Sequence, residues 1–105
     1  MSKNVDSLFK PFSLKSLSLK NRIAMAPMTR SFLPEGIPTE DVASYYRRRA
    51  EGGTGLIITE GTTINDPVAT MNQKVPQIHG QQPLAGWNNV VKQVHAVGGK
   101  IMPQL

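Results

Sequence analysis

Two stretches of the chain, RAEGGTGLIIT (49–59) and HAVGGKIMPQL (95–105), follow one grammar. Each runs from the end of a helix through a Gly-Gly stop straight into an apolar strand. So short a return leaves no room for the chain to wander. The helix must lie back along a sheet and deliver its next strand beside the last one. Repeated units of this kind define a parallel α/β sheet with right-handed crossovers.

The neighbouring sequence fills in the order. Phe12–Leu14 and Leu17–Leu19 alternate around Lys15-Ser16, which predicts a β-hairpin with a polar tip. Ile23 to Met28 is near-continuously apolar, as a strand covered on both faces would be. Ser31 to Pro38 holds two prolines and a glycine and reads as a loop. Thr39 is placed to cap a helix over 40–51, with Glu40 and Asp41 in its positive first turn. Val42, Tyr45, Tyr46 and the alkyl stem of Arg49 make its stripe. Gly55–Thr59 is the second strand. A polar loop runs from Gly61 to Gln82, a length uncommon in compact domains unless it has a task. Pro83 opens a second helix with Leu84, Trp87, Val91 and Val94 at helical spacing, widened by Val90 and Val97. Lys100 then begins a third strand.

No GxGxxG follows the first strand, which removes the best support for a doubly wound dinucleotide fold and favours a (β/α)8 barrel. A barrel needs eight strands and ~250 residues. The 105 residues predict three strands, the last with no helix after it to cover it. The expectation is a single domain that is the opening part of a larger barrel.

Composition narrows the chemistry. There is no cysteine and there are only two histidines, His79 and His95, without ligand spacing. Disulfides, thiolate metals and cysteine nucleophiles are excluded, and no metal site is expected. No apolar run approaches the ~20 residues of a membrane helix, and Lys3 has no apolar core after it to make a signal peptide. The expected compartment is the cytoplasm, and disorder is expected only over Met1–Asp6. The formal charge of +5 is spread along the chain rather than clustered. Its one run, Arg47-Arg48-Arg49, falls in the last turn of the first helix, where cations complement the dipole. No nucleic-acid partner is expected.

In a barrel, sites form at the carboxyl ends of strands. Here those ends offer Ala26, Pro27, Met28 and Thr29; then Glu60, Gly61, Thr62 and Thr63; then Pro103, Gln104 and Leu105. They supply amides, small side chains, a hydroxyl and a carboxamide, but no strong nucleophile. Such groups suit a flat cofactor that carries the chemistry itself. Each also has an ordinary reading. Pro27 ends a strand, Met28 fills a core, Thr29 caps a turn, and Gly61 permits one. Gln104, set among Met102, Pro103 and Leu105, needs a partner if buried and matches the edge of a pyrimidine-like ring. Glu60 reads as the partner of an arginine before it reads as a base. His95 reads as a surface or dipole residue.

LFKPFSLKSLSLKNRIAMAPMTR, YYRRRAEGGTGLIITEGT and VHAVGGKIMPQL together resemble the old yellow enzyme family of flavin-dependent ene-reductases, from about Leu8 to Leu105. The resemblance implies a (β/α)8 barrel with FMN at its carboxyl face and an N-terminal hairpin closing the bottom. It implies that Ala26, Pro27, Met28 and Thr29 lie along the flavin, with the Thr29 hydroxyl near the carbonyl and N5 region. Gly61 would give a close amide contact and Gln104 would bind the pyrimidine edge. Threonine rather than cysteine at position 29 places the sequence in one branch of the family. The implied reaction takes reducing equivalents from NADPH or NADH through FMN to an alkene activated by a carbonyl or nitro group.

The family's substrate-gripping His/Asn or His/His pair, its proton-donating tyrosine and its FMN phosphate loops all fall beyond Leu105. Tyr45 and Tyr46, on the first helix, are not assigned the donor role, so no catalytic residue is expected in this chain. The expected partner is a second polypeptide carrying the remaining strands. The alternative is a non-catalytic truncated fragment that self-associates through its third strand.

Overall fold

The computed structural model describes residues 4–105. Of the segment expected to be disordered, Met1–Lys3 lie outside the described residues. Asp6 already opens a 3-10 turn, Asp6–Phe9. The hairpin follows as β1 (Phe12–Leu14) and β2 (Leu17–Leu19). They pair antiparallel with Phe12 opposite Leu19 and Leu14 opposite Leu17. Lys15 turns the chain with a left-handed φ of 52°. The hairpin buries only Leu19; Phe12, Leu14 and Leu17 stay exposed. With Ile23 and Ala24 it borders an open, mainly apolar hollow of about 280 Å³.

Three parallel strands follow, in the order β3 (Ala24–Met25), β4 (Leu56–Gly61) and β5 (Ile101–Gln104), with β4 in the middle. β3 is shorter than the expected 23–28. Its ladder starts at Ile23, whose carbonyl accepts from the Gly55 and Leu56 amides, and the last paired residues are Met25 and Ile57. Pro27 has no N–H to continue a ladder. The residues from Ala26 onward therefore run past β4 unpaired.

Helix α1 (Glu40–Glu51) connects β3 to β4, and α2 (Gln81–Ala96) connects β4 to β5. Thr39 does stand at the start of α1, but its side chain makes no capping bond. Its carbonyl accepts the amides of Val42 and Ala43 instead. α2 begins two residues before Pro83, which sits in the first turn, where a missing N–H costs nothing. In each Gly-Gly stop one glycine takes the left-handed conformation, Gly53 with φ +114° and Gly98 with φ +79°. This is what lets both helices reverse at once into a strand.

The core lies between the two helices and β4. It is built from Val42, Ala43, Tyr46 and Ala50 of α1, Ile57 of β4, and Trp87, Val90 and Val94 of α2, with Leu33 from the intervening loop. The stripe expected on α1 is half right. Val42 and Tyr46 are buried, whereas Tyr45 and Arg49 are half-buried and stack on one another, the guanidinium 3.7 Å from the ring centroid. Leu84 is exposed although its spacing placed it on the stripe of α2. It shares a helix side with Val91, which borders β5 rather than α1. Buried Asn21 ties the hairpin to the first Gly-Gly stop. Its Nδ2 donates to the Gly53 carbonyl at 2.6 Å, and its Oδ1 accepts the Ile23 amide at 3.0 Å.

Candidate functional site

The carboxyl ends of β3, β4 and β5 come out on one side of the molecule, and the chemistry-bearing residues gather there. A Cβ added to Gly61 would lie 3.6 Å from the Thr29 hydroxyl and 3.7 Å from the Gln104 side-chain oxygen. The hydroxyl, the bare backbone and the carboxamide therefore meet at one point. Sequence reasoning placed these three at strand ends, and the structure sets them side by side. Ala26, Pro27 and Met28 lie upstream of Thr29 on the unpaired continuation of β3. Ala26 and Met28 are exposed and Pro27 is half-buried.

Gln104 has a fixed backbone and an exposed side chain. Its carbonyl accepts both the amide and the hydroxyl of Thr62, each at 2.8 Å, and its amide donates to the Thr59 hydroxyl at 3.3 Å. Three bonds thus anchor the residue while the carboxamide remains presented to the outside.

Beneath the tips is a buried polar network. Arg30 follows Thr29 and Glu60 precedes Gly61. The Arg30 guanidinium donates to Glu60 Oε2 at 2.7 Å, and the Glu60 side chain is fully buried. The Tyr46 hydroxyl donates to the same oxygen at 3.1 Å and accepts the Glu60 amide at 3.0 Å. Burial pushes the Tyr46 hydroxyl well above its ordinary pKa. The Glu60 amide opposes this and the Glu60 charge adds to it. Arg30 also lies over the Tyr45 ring, 3.8 Å from its centroid, so Tyr45 is sandwiched between Arg30 and Arg49. Glu60 is thus a carboxylate in an ion pair with an arginine, the reading favoured by its sequence context. The partner and the tyrosine were not legible there.

The long loop, which spans 62–80 once its ends are claimed by β4 and α2, is tied to itself, to the loop before α1 and to α2. Thr63 bridges to Gln77, Leu33 donates to the Lys74 carbonyl, and the Trp87 indole donates to the Gln77 carbonyl at 3.0 Å. It encloses a polar groove of about 240 Å³ bordered by Asn65, Asp66, Gln73 and His79. His95 is exposed in the last turn of α2. Among the described residues no three His, Asp or Glu side chains cluster as a metal site would require. No helix among them is long and apolar enough to cross a membrane.

A parallel sheet with two covering helices, and with amide, hydroxyl and carboxamide groups converging at its carboxyl edge, is the arrangement of part of a parallel α/β domain. The chain belongs to the NADH:flavin oxidoreductase / NADH oxidase family, whose model matches residues 7–105. It is 39% identical over 98 residues to 12-oxophytodienoate reductase 7 of Oryza sativa subsp. japonica, an alignment that covers 93% of this chain and 24% of that protein. The structure of morphinone reductase in complex with tetrahydroNAD superposes with a TM-score of 0.86 at 45% identity, covering 94% of this chain and 26% of that one. The old yellow enzyme from Trypanosoma cruzi superposes with a TM-score of 0.84 at 36% identity, covering 95% of this chain and 26% of its own. These 105 residues therefore span about a quarter of the length of such relatives, and the fold is that of part of their barrel.

The residues present fit a flavin. Gly61 leaves bare backbone between a hydroxyl and a carboxamide, in a space that a Cβ would narrow. The donors and acceptors around that opening match the edge of a flat heterocycle and lack the charge a metal would need.

Proposed function

We propose that these residues form the opening part of an FMN-dependent ene-reductase, comprising the bottom hairpin, the first three strands and the first two helices of a (β/α)8 barrel. The observation that carries this reading is the meeting of Thr29, Gly61 and Gln104 at one point. In this reading the Gln104 carboxamide hydrogen-bonds the pyrimidine edge of the ring. The Gly61 backbone lies close against the ring, and the Thr29 hydroxyl bonds near its carbonyl. Ala26, Pro27 and Met28 form the wall along it. FMN, when bound, supplies hydride transfer from NADPH or NADH to an alkene activated by a carbonyl or nitro group. The chain's own part is to bind and orient the ring and to tune it by hydrogen bonding.

The open edge of β5, where Met102 is exposed, is in this proposal covered by polypeptide carrying the remaining strands of the barrel. That polypeptide also brings the phosphate site, the substrate-gripping pair and the proton donor. The test is complementation. The 105 residues are mixed or co-expressed with a polypeptide carrying the missing strands of a family barrel. The expected product is a yellow complex that oxidises NAD(P)H in the presence of an activated alkene, while the 105 residues alone neither bind FMN tightly nor reduce the alkene. Tight FMN binding by the chain alone, or a colourless self-associated product in the mixture, overturns the proposal.

A further inference from the structure

We infer that Glu60, held by Arg30 and Tyr46, is the positioning residue that sets Thr29 and Gly61 side by side at the strand tips. The argument begins with an irregularity in β4. Ile58 pairs with Met102 and Gly61 with Gln104, so three steps along β4 match two along β5. One residue is extra, which makes this a β-bulge, a device that re-aims side chains. The contacts show what it re-aims. Ile57 packs in the core with the helices, and strict alternation would send Thr59 and Gly61 to that side and Glu60 to the other. Thr59 keeps to that side, bordering Trp87 and Val91 of α2, but the adjacent Glu60 also turns there and reaches Tyr46 of α1. Both are buried on the helix side. Gly61 is thereby turned toward Thr29 and Gln104.

A bulge costs a ladder bond, and two side chains hold this one. The Thr59 hydroxyl accepts the Gln104 amide, and the Tyr46 hydroxyl accepts the Glu60 amide. The carboxylate then fastens the neighbouring strand. Arg30 directly follows Thr29, which borders the opening, so its 2.7 Å bond to Glu60 fixes where Thr29 stands. Among the described residues, Arg30 Nε and Glu60 Oε1 are buried without a hydrogen-bond partner. An ion pair that leaves an atom unused on each side is a poor device for raw stability. What it does fix is the register between two strand tips that no ladder joins.

The inference rests on the proposed flavin reading only for what lies against the tips. The test separates the two. NOEs between the Thr29 side chain and Gly61 are recorded on the full 105-residue chain, for the wild type and for Glu60→Gln, Tyr46→Phe and Val94→Ala. Tyr46→Phe keeps the ring and removes only the hydroxyl, so it stands as the milder variant if Glu60→Gln fails to fold. Val94→Ala loosens the core far from the tips. The expected result is that the Thr29–Gly61 contact is weakened or lost in Glu60→Gln and Tyr46→Phe and kept in Val94→Ala. Wild-type NOEs in folded Tyr46→Phe and Glu60→Gln overturn the inference. In the complemented barrel, Glu60→Gln lowers FMN affinity about tenfold, and Val94→Ala leaves it unchanged. A wild-type assembly that takes up no FMN refutes the flavin reading and leaves the positioning claim to the NOEs.

Discussion

The space between the helices and β4 and the ends of the three strands are built on opposite terms. The first is closed: Ala43, Ala50, Ile57, Val90 and Val94 have no exposed surface. The second is open. Thr29 and Gln104 are exposed, Met28 is 51% exposed and Leu105 80%. The closed region draws its energy from apolar area removed from water. The open one is held by directional bonds that fix the backbone and leave side chains free, as at Gln104. Stability and binding are thereby assigned to different residues, and substitutions can separate them.

The sharpest separation comes from the core. Trp87→Ala deletes a large buried ring and leaves the Gln77 carbonyl without its indole donor. The expected loss is about 3–5 kcal/mol, read by urea or thermal unfolding. Met28→Ala, at the tips, is expected to cost less than about 1 kcal/mol. Equal losses would show that the tips are part of the core after all.

Gly99→Ala probes the closed region from the other direction. An added Cβ would lie 2.7 Å from both Ala50 Cβ and Val94 Cγ1. The second Gly-Gly stop is where the end of α1 and the end of α2 come closest. Overpacking there costs about 1–3 kcal/mol, read as a lower unfolding midpoint. An unchanged midpoint would mean that the helix ends are free to separate.

Gly61→Ala should do the reverse. Its Cβ would meet only ordinary contacts at 3.6 and 3.7 Å, so the unfolding midpoint is expected to hold. In the complemented barrel, however, the methyl would stand in the opening between Thr29 and Gln104. FMN affinity is expected to fall at least about tenfold, or about 1.4 kcal/mol, by fluorescence titration. A variant that loses stability but keeps its affinity would reverse the assignment.

Much of the fold was legible in the sequence because its signals are local. The Gly-Gly stops, the helical spacing of Trp87, Val90 and Val94, and the Lys15-Ser16 turn each act within a few residues. The resemblance placed Thr29, Gly61 and Gln104 along a flavin, and the structure sets the three side by side. What escaped depends on distant partners. The bulge in β4 leaves no mark in the run LIITEG, since an extra residue is defined only against β5. Nothing near Glu60 names Arg30 or Tyr46, which lie thirty and fourteen positions away. Asn21 drew no notice because the bond that matters ties a hairpin to a helix end thirty-two positions away. Ala43 and Ala50 were passed over because small side chains carry little pattern, yet they are where α1 sits deepest. The strand drawn through Met28 ran past Pro27 because an apolar run was weighed above a missing N–H.

The smallest expected effect tests the exposed rim of the helix pair, which resembles the tips in being wet and polar. Glu40, at the start of α1, accepts from Gln93 at 2.7 Å and from Asn89 at 2.8 Å, both on α2. These bonds, that from Gln93 first, hold its carboxyl below the ordinary value of 4.5. A carboxyl with a depressed folded-state pKa binds its proton more weakly in the folded chain than in the unfolded one. Its contribution to stability is therefore present above pH 4.5 and is lost as the pH falls through the lowered value. The wild type is expected to melt slightly above Glu40→Gln at neutral pH, and the gap is expected to close on acidification. Because the group is exposed, salt and solvent shrink the effect. A gap that persists at acid pH would mean that Glu40 acts through packing between the helices, and the rim would then belong with the closed region.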